Sequence, residues 1–358
     1  MKLIKFSLIA VIAGAVIVPG VAIAILTSGG TGSPPRSKAE ATACISGWYI
    51  KCVGQELGLL ASTDPMGALE MYRTKAENDT RIRESCHELF HAIGKGAAAS
   101  TDKPWDVFMI GSGECNWGYI HGAVEGYLVG EASSVIERAE GLCVPPEGLD
   151  VEDPYIGSVM GNCVHGTGHA LFHANEDPIE AEKGCREAFK RGAVGTWTAL
   201  SCIDGMIMEF GNSDDAKAGM HSDICSRIGE DAKETCYKNI ALTWYHQNDG
   251  NQLAVLNQCK EAGTEELIYT CTWGAGNLFT VQQGFDMPTM REMCLQLEGA
   301  YRRGCYTGAA VAAALGVNTG VLSETDLRTF VDSVPDAGLR GSIYEDVERA
   351  KGGFGAAA

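Results

Sequence analysis

The sequence predicts an all-α protein of two-helix α/α repeats, arranged as a solenoid or partly closed toroid and cross-linked by disulfides. Three observations predict this class. Cysteines recur at a regular spacing, glycine stands three residues after the cysteine in five segments, and proline stands at the start of several predicted helices. A period of about 34 residues is typical of paired helices that stack their apolar faces on the neighbouring repeat.

The clearest periodic signal is a series of cysteines that each mark a related segment: Cys163, Cys202, Cys236, Cys271 and Cys305, spaced by 39, 34, 35 and 34 residues. We expect each of them to begin an inner helix. Glycine costs about 1 kcal/mol in a helix, so its recurrence three residues later predicts that neighbouring helices approach closely. The glycines are Gly166, Gly205, Gly274 and Gly308, and Gly118 three residues after the earlier Cys115.

Proline marks the predicted starts of the outer helices, as in Asp64-Pro65, Asp153-Pro154 and Asp177-Pro178. Proline fits the first helical position, where no N–H bond is lost, and an aspartate before it can cap the free N–H groups. These dipeptides therefore predict where helices begin.

The fourteen cysteines predict disulfides, since the sequence contains no CxxC pair of the kind that binds metal. Their order predicts five bridges across helical hairpins: Cys143–Cys163, Cys185–Cys202, Cys225–Cys236, Cys259–Cys271 and Cys294–Cys305. In a helix, Cys44 and Cys52 would lie about 12 Å apart, which is too far for a bridge. We therefore expect pairs Cys52–Cys86 and Cys44–Cys115.

The N-terminus predicts export. Lys2 and Lys5 precede an uncharged run from Phe6 to Leu26. Residues 1–27 are therefore predicted to be a signal peptide or an N-terminal membrane anchor. Residues 28–43 are predicted to be a flexible linker, 44–350 a single α/α repeat domain, and 351–358 a disordered tail. The domain would be extracytoplasmic, either secreted or anchored to the outer face of the membrane by residues 6–26.

The formal net charge of −18 argues against nucleic acid as a partner, because phosphate backbones attract basic surfaces. Contact with a membrane is expected only through the N-terminal segment, if it is retained. The sequence leaves open whether the partner is a protein or a small molecule.

Three predicted helices carry metal-ligand residues four positions apart, which places each pair on one helical face. The pairs are His87/His91, His121/Glu125 and His165/His169. Their convergence predicts a metal site with these five histidines as ligands, and Glu88 or Glu125 as the catalytic group that moves protons. Imidazole and carboxylate ligands favour a divalent metal, Zn²⁺ first, with Cu, Fe or Mn as alternatives.

Two short segments resemble known families. His87-Glu88-Leu89-Phe90-His91, followed by Gly94, resembles the HExxHxxG motif of zincins, which implies zinc ligands at both histidines and Glu88 as general base. The position of the third metzincin ligand holds Ala97 instead. The segments from Gly118 to Gly122 and from Cys163 to Gly166 are similar to the GxxHG and CHG segments of lanthionine-synthetase-like α/α toroids, apart from the inserted Val164.

These patterns favour an exported, disulfide-rich helical-repeat protein with an inner His/Glu metal site and a hydrolase-type or metal-binding role. Two alternatives stay open. One is an HExxH zinc metallopeptidase, and the other is a non-catalytic scaffold that presents a concave surface to protein partners.

Overall fold

The computed structural model describes residues 49–111, 113–190, 198–318 and 320–351. These ranges contain α-helices and short 3-10 turns, and they contain no β-strand, so the predicted all-α class is confirmed. The predicted leader and linker, Cys44 and residues 352–358 of the predicted tail lie outside the described residues.

The described α-helices are numbered here in chain order: α1 (Tyr49–Ala61), α2 (Pro65–Asn78), α3 (Thr80–Glu84), α4 (Cys86–Ala97), α5 (Pro104–Phe108), α6 (Gly118–Tyr127), α7 (Ala132–Cys143), α8 (Pro154–Asn175), α9 (Pro178–Ala188), α10 (Ala199–Asn212), α11 (Asp214–Lys217), α12 (Ile224–Arg227), α13 (Lys233–Asn239), α14 (Ala241–Gln247), α15 (Gln252–Gln258), α16 (Glu265–Gln282), α17 (Met287–Leu295), α18 (Gly299–Asn318), α19 (Glu324–Asp332) and α20 (Ala337–Lys351). Short 3-10 turns cover Glu114–Trp117, Glu230–Ala232 and Cys259–Ala262.

Helices α1, α4, α6, α8, α10, α13, α16, α18 and α20 form what we call the central row, in which each helix packs against the next. The other helices lie against this row. For example, α7 packs on α8, α9 packs on both α8 and α10, and α17 and α19 pack on α18. The buried apolar side chains form one continuous core. The curvature of the row into a solenoid or toroid stays a prediction.

Aspartate caps begin helices where the Asp-Pro dipeptides predict them. Asp64, Asp153 and Asp177 each accept a hydrogen bond from a backbone N–H group in the first turn of α2, α8 and α9. The sequence pattern predicts that the helix beginning after Asp153 is an outer helix. This is wrong, because that helix, α8, belongs to the central row. That helix runs through Cys163 instead of beginning there, and α10, α13, α16 and α18 likewise begin before their cysteines, so the expectation that these cysteines begin inner helices is wrong.

Five disulfides join helices of the central row to the elements packed against them, with the partners that the cysteine order predicts. They are Cys143–Cys163, Cys185–Cys202, Cys225–Cys236, Cys259–Cys271 and Cys294–Cys305, with Cα atoms 5.4–5.6 Å apart. Each closes a loop of 11–20 residues, and a loop of this size contributes about 3 kcal/mol by restricting the unfolded chain.

The expected pairs Cys52–Cys86 and Cys44–Cys115 are wrong, because Cys86 and Cys115 are both free thiols. Cys52 is disulfide-bonded, although to neither of them. The physical reason is that the 3-10 turn carrying Cys115 packs directly on α4, which begins at Cys86. The two thiols therefore contact each other.

The recurring glycines lie where neighbouring helices of the central row touch, as their spacing predicts. A Cβ atom on Gly118 would lie 2.6 Å from the carbonyl oxygen of His87, and one on Gly166 would lie 3.1 Å from the Cα atom of His121. A Cβ atom on Gly205 would overlap the carbonyl oxygen of His165. Glycine at these positions therefore sets the short spacing between α4, α6, α8 and α10.

We expect Gly205→Ala to lower the free energy of unfolding by about 1–3 kcal/mol, because the new methyl group must push α10 away from α8. Gly341→Ala is the matched control, since no described atom outside its own helix turn lies within 4 Å of a Cβ built at that exposed position of α20. It should raise stability by up to about 1 kcal/mol through helix propensity. Denaturant unfolding measures both, and equal changes in the two variants would contradict the close-packing argument.

Within the described residues, none of the helices combines the length and the apolar character that crossing a membrane requires.

Candidate metal centre

Five histidines from three neighbouring helices of the central row meet in one cluster, which we call the histidine cluster. Helix α4 supplies His87 and His91, α6 supplies His121, and α8 supplies His165 and His169. The centroids of neighbouring rings in the cluster are 4.6–5.5 Å apart. The structure therefore brings together all five histidines that the sequence analysis assigns as ligands.

The two histidines of α4 face each other through their Nε2 atoms, which are 3.2 Å apart. Nδ1 of His87 lies 2.8 Å from the carbonyl oxygen of Cys115, which can only accept, so this nitrogen carries the proton. Nδ1 of His91 lies 2.9 Å from Oε1 of Glu125. Nε2 of His87 therefore directs its lone pair toward His91, where a cation could be bound.

His121 is fixed by an amide. Its Nε2 lies 2.9 Å from Oδ1 of Asn162, whose own amide group donates to the Ser158 carbonyl oxygen at 2.8 Å. That second bond sets which end of the amide faces the imidazole. Nε2 of His121 is therefore the donor, and its Nδ1 keeps a free lone pair.

The two histidines of α8 are oriented by carboxylates. Nδ1 of His165 lies 3.2 Å from Oδ2 of Asp204, and Lys238 and Asn239 hold the other oxygen of that carboxylate at 3.3 and 2.8 Å. Nδ1 of His169 lies 3.0 Å from Oε2 of Glu209 and 3.4 Å from Oε1 of Glu125. Each ring therefore uses Nδ1 for an oxygen partner.

Every histidine of the cluster thus has one ring nitrogen close to an oxygen atom and the other directed at its neighbours. Four ring nitrogens are buried without a hydrogen-bond partner among the described residues: Nδ1 of His121, Nε2 of His165 and both nitrogens of His169, whose Nδ1 makes only ion-pair contacts with Glu125 and Glu209. Buried polar atoms are normally satisfied. Metal-binding histidines characteristically show this division, with one nitrogen on the ion and the other on an oxygen.

The inward nitrogens are close enough to share an ion. One ligand atom each from His87, His91 and His121 lie within 4.8 Å of one another, and the same is true of His121, His165 and His169. Glu125 forms a further group with His91 and His169. The described structure therefore contains overlapping His/Glu groups that could hold a metal.

Burial keeps most of the cluster neutral, which is the form that binds metal. It lowers the pKa of His87 to about 3 and lowers the pKa values of His121 and His165. His169 differs. Burial disfavours its charged form, but hydrogen bonds to Glu125 and Glu209 outweigh burial and raise the pKa of His169 to about 9. Without a metal, a proton on His169 neutralises part of this acidic pair.

We expect the metal-free protein to lose stability in acid. His87, His121 and His165 have folded pKa values below the unfolded value of about 6.5. Below pH 6.5 the unfolded chain binds these protons first, so each histidine lowers stability by up to about 1.4 kcal/mol per pH unit. His169 acts oppositely, since its raised pKa adds stability below pH 6.5 that is lost as the pH rises through about 9.

The contribution of His169 is constant below pH 6.5, so the three histidines with lowered pKa values set the slope, and the free energy of unfolding of metal-free protein should fall steeply from about pH 6.5 to pH 5. Urea unfolding at a series of pH values measures it. A His87→Ala/His121→Ala variant should show a shallower slope over this range, and a flat profile in the parent would contradict the burial of neutral histidines.

The two predicted catalytic carboxylates lie in different surroundings. Glu125 is buried beside the cluster, and its carboxylate contacts His91 and His169. Burial would raise the pKa of Glu125, but the hydrogen bonds from these two histidines outweigh it and hold the pKa well below its usual value. Glu88 is exposed and belongs to none of the ligand groups found among the described residues.

Several oxygen partners of the cluster are absent from the sequence-based site, namely Asn162, Asp204 and the Cys115 carbonyl. Asp204 stands two residues after Cys202, as His165 stands two residues after Cys163. The repeat register could therefore have indicated it. No sequence signal indicates the Cys115 carbonyl, because a backbone oxygen is common to all residues. His173 lies at the edge of the cluster, where its side chain is 51% exposed and 3.2 Å from Glu209.

No protein-family model, curated protein or solved structure matches this chain. The zincin and lanthionine-synthetase-like resemblances therefore stay local similarities of a few residues. Fold and site define a disulfide-rich all-α protein with candidate His/Glu metal-binding groups. Any finer assignment rests on the geometry of the histidine cluster.

Proposed function

We propose that this chain is an exported protein that binds a divalent transition-metal ion in the histidine cluster, with Zn²⁺ as the preferred ion. One observation carries the proposal: five neighbouring imidazoles each place one nitrogen on an oxygen acceptor and leave the other inside the cluster. A polar core without an ion would instead pair those inner nitrogens with donors.

The spacing of the first pair of ligands supports the choice of ion. Zn²⁺ binds imidazole nitrogen at about 2.0–2.1 Å in tetrahedral geometry, which places two ligand nitrogens about 3.3 Å apart. The Nε2 atoms of His87 and His91 are 3.2 Å apart. Neutral imidazoles with nearby carboxylates also suit Cu, Fe or Mn, so the identity of the ion is part of the test.

The centre is accessible enough for chemistry. The side chains of His91 and His165 are 17% and 15% exposed, whereas that of His169 is 2% exposed. A bound Zn²⁺ would act as a Lewis acid at this solvent-facing edge. Glu125 adjoins the cluster, so it is better placed than the exposed Glu88 to accept a proton. Hydrolysis at this edge is therefore the activity that we propose for the centre.

The proposal also includes export of the protein from the cytoplasm. The disulfides are compatible with an extracytoplasmic location, since such bridges persist in oxidising compartments. We assign residues 6–26 as the segment that directs secretion or retains the protein at the outer face of the membrane. The acidic chain would meet its substrate or protein partner there, without nucleic acid.

Metal content tests the proposal directly. The protein is exported into an oxidising compartment during metal-replete growth, purified, and measured by elemental mass spectrometry beside His121→Ala/His169→Ala and a control, His246→Ala, on α14. We expect stoichiometric metal in the parent and control and almost none in the double variant. Absence of metal from the parent would refute the centre and favour the non-catalytic scaffold. Equal metal in all three would place the ion elsewhere.

A further inference from the structure

Two free cysteines, Cys86 and Cys115, lie beside the histidine cluster in a chain whose other described cysteines are all disulfide-bonded. Their side chains lie next to each other, and Sγ of Cys115 lies 3.9 Å from the hydroxyl oxygen of the buried Tyr72. Both cysteines are only partly buried. The pair is therefore close enough to react and open enough to be reached.

Both cysteines are linked to the same metal ligand. Cys86 is the residue directly before His87 at the start of α4, and the carbonyl oxygen of Cys115 accepts the hydrogen bond from Nδ1 of His87 at 2.8 Å. The oxygen partner of a metal-binding histidine fixes the orientation of the ring and raises its basicity. A change in the bonding of this cysteine pair should therefore alter the orientation and basicity of the His87 ring.

The backbone at Cys115 is strained. Cys115, Asn116 and Trp117 follow one another with φ values of 54°, 52° and 60°, in the left-handed region that non-glycine residues rarely adopt. Such conformations persist where the surrounding structure enforces them, and they are concentrated at functional and switching segments. The turn that holds the acceptor of His87 is thus held in an unfavourable conformation.

We propose that Cys86 and Cys115 form a redox-active dithiol that exchanges with external low-molecular-weight disulfides and controls the metal affinity of the histidine cluster through His87. The thiolate of one cysteine attacks a sulfur of the external disulfide, forms a mixed disulfide and releases one thiol. The second cysteine attacks the protein sulfur of that mixed disulfide and releases the other thiol. One external disulfide is reduced to two thiols, and the protein dithiol is oxidised to one disulfide.

Oxidation should weaken metal binding. A disulfide imposes its own Cα separation and sulfur geometry on the two residues, and we expect its closure to shift the strained turn and move the Cys115 carbonyl relative to His87. Loss of such an oxygen partner typically lowers metal affinity about 10–100-fold. This second half of the proposal rests on the proposed metal centre, whereas the exchange reaction does not.

The exchange is tested by equilibrating the full-length protein in oxidised and reduced glutathione, trapping thiols with an alkylating reagent, and mapping them by mass spectrometry. We expect Cys86 and Cys115 to convert together between dithiol and disulfide while the five helix-to-helix bridges stay oxidised. In Cys86→Ser, a mixed disulfide with glutathione should accumulate on Cys115. A pair that never forms the disulfide, or that resists reduction in the folded protein, would overturn the proposal.

The link to the metal is measured by competing Zn²⁺ between the protein and a chromophoric chelator in each redox state. We expect about 10–100-fold lower affinity in the oxidised parent and no redox dependence in Cys86→Ser/Cys115→Ser, which can form neither the disulfide nor a mixed disulfide. Cys294→Ser/Cys305→Ser, which lacks a distant bridge, should respond like the parent. Exchange with unchanged zinc affinity would refute the link to His87, and a protein that exchanges but binds no zinc would refute the metal centre alone.

Discussion

Saturating Zn²⁺ should raise the free energy of unfolding of the metal-free protein by about 4 kcal/mol when the free ion is at 1,000 times its Kd. The reason is that the overlapping groups of histidine ligands form only in the folded chain, where α4, α6 and α8 meet. For a domain of this size, the gain corresponds to a rise in Tm of about 6 °C. Thermal unfolding during zinc titration measures it, and a chelator should reverse it.

The matched variant is His121→Ala/His169→Ala, which removes two buried ligands. It should lose the zinc-dependent rise in Tm, whatever its stability without metal. His246→Ala should keep the full rise, since this residue lies outside the cluster. A zinc response that survives in the double variant would show that the ion stabilises the protein through another site.

Glu125→Gln should lower zinc affinity by about 10–100-fold, the usual effect of removing an outer partner of a metal site. The carboxylate of Glu125 contacts Nδ1 of both His91 and His169, at 2.9 and 3.4 Å, and is nearly buried. Glutamine keeps the size of the side chain but removes the charge that favours both donors. Competition with a chromophoric chelator measures the loss.

Glu88→Gln is the matched control and also tests the metallopeptidase alternative. Because Glu88 is exposed and outside the ligand groups found in the described part of the chain, the variant should bind zinc like the parent. If hydrolysis is found, we expect it to survive Glu88→Gln and to fail in Glu125→Gln. Loss of hydrolysis in Glu88→Gln with metal retained would instead favour the HExxH peptidase.

Local sequence patterns determined much of the helical frame. Asp64 and Asp177 cap helices because an aspartate before proline can satisfy free N–H groups wherever it stands in the fold. The cysteine order predicted the five bridges since each joins elements that are neighbours along the chain. The same reasoning failed for Cys86 and Cys115, whose contact depends on how a strained turn packs on α4.

The candidate ligands were predictable for a similar reason. His87 and His91, and likewise His165 and His169, share a helical face because residues four apart always do. Gly205 predicted that its helix packs closely on a neighbour, because only a residue without a side chain allows two helix backbones to touch. Together these local rules indicated which histidines face inward and that their helices are close.

Tertiary structure alone decided how each imidazole is used. The proton position of His87 depends on the Cys115 carbonyl, and that of His121 depends on Asn162 in another helix. Glu125 and Glu88 look equivalent in sequence, but packing buries one beside the cluster and leaves the other exposed. Sequence periodicity specifies the face on which a side chain lies. Its hydrogen-bond partner, burial and pKa come from neighbouring helices, which only the folded chain brings together.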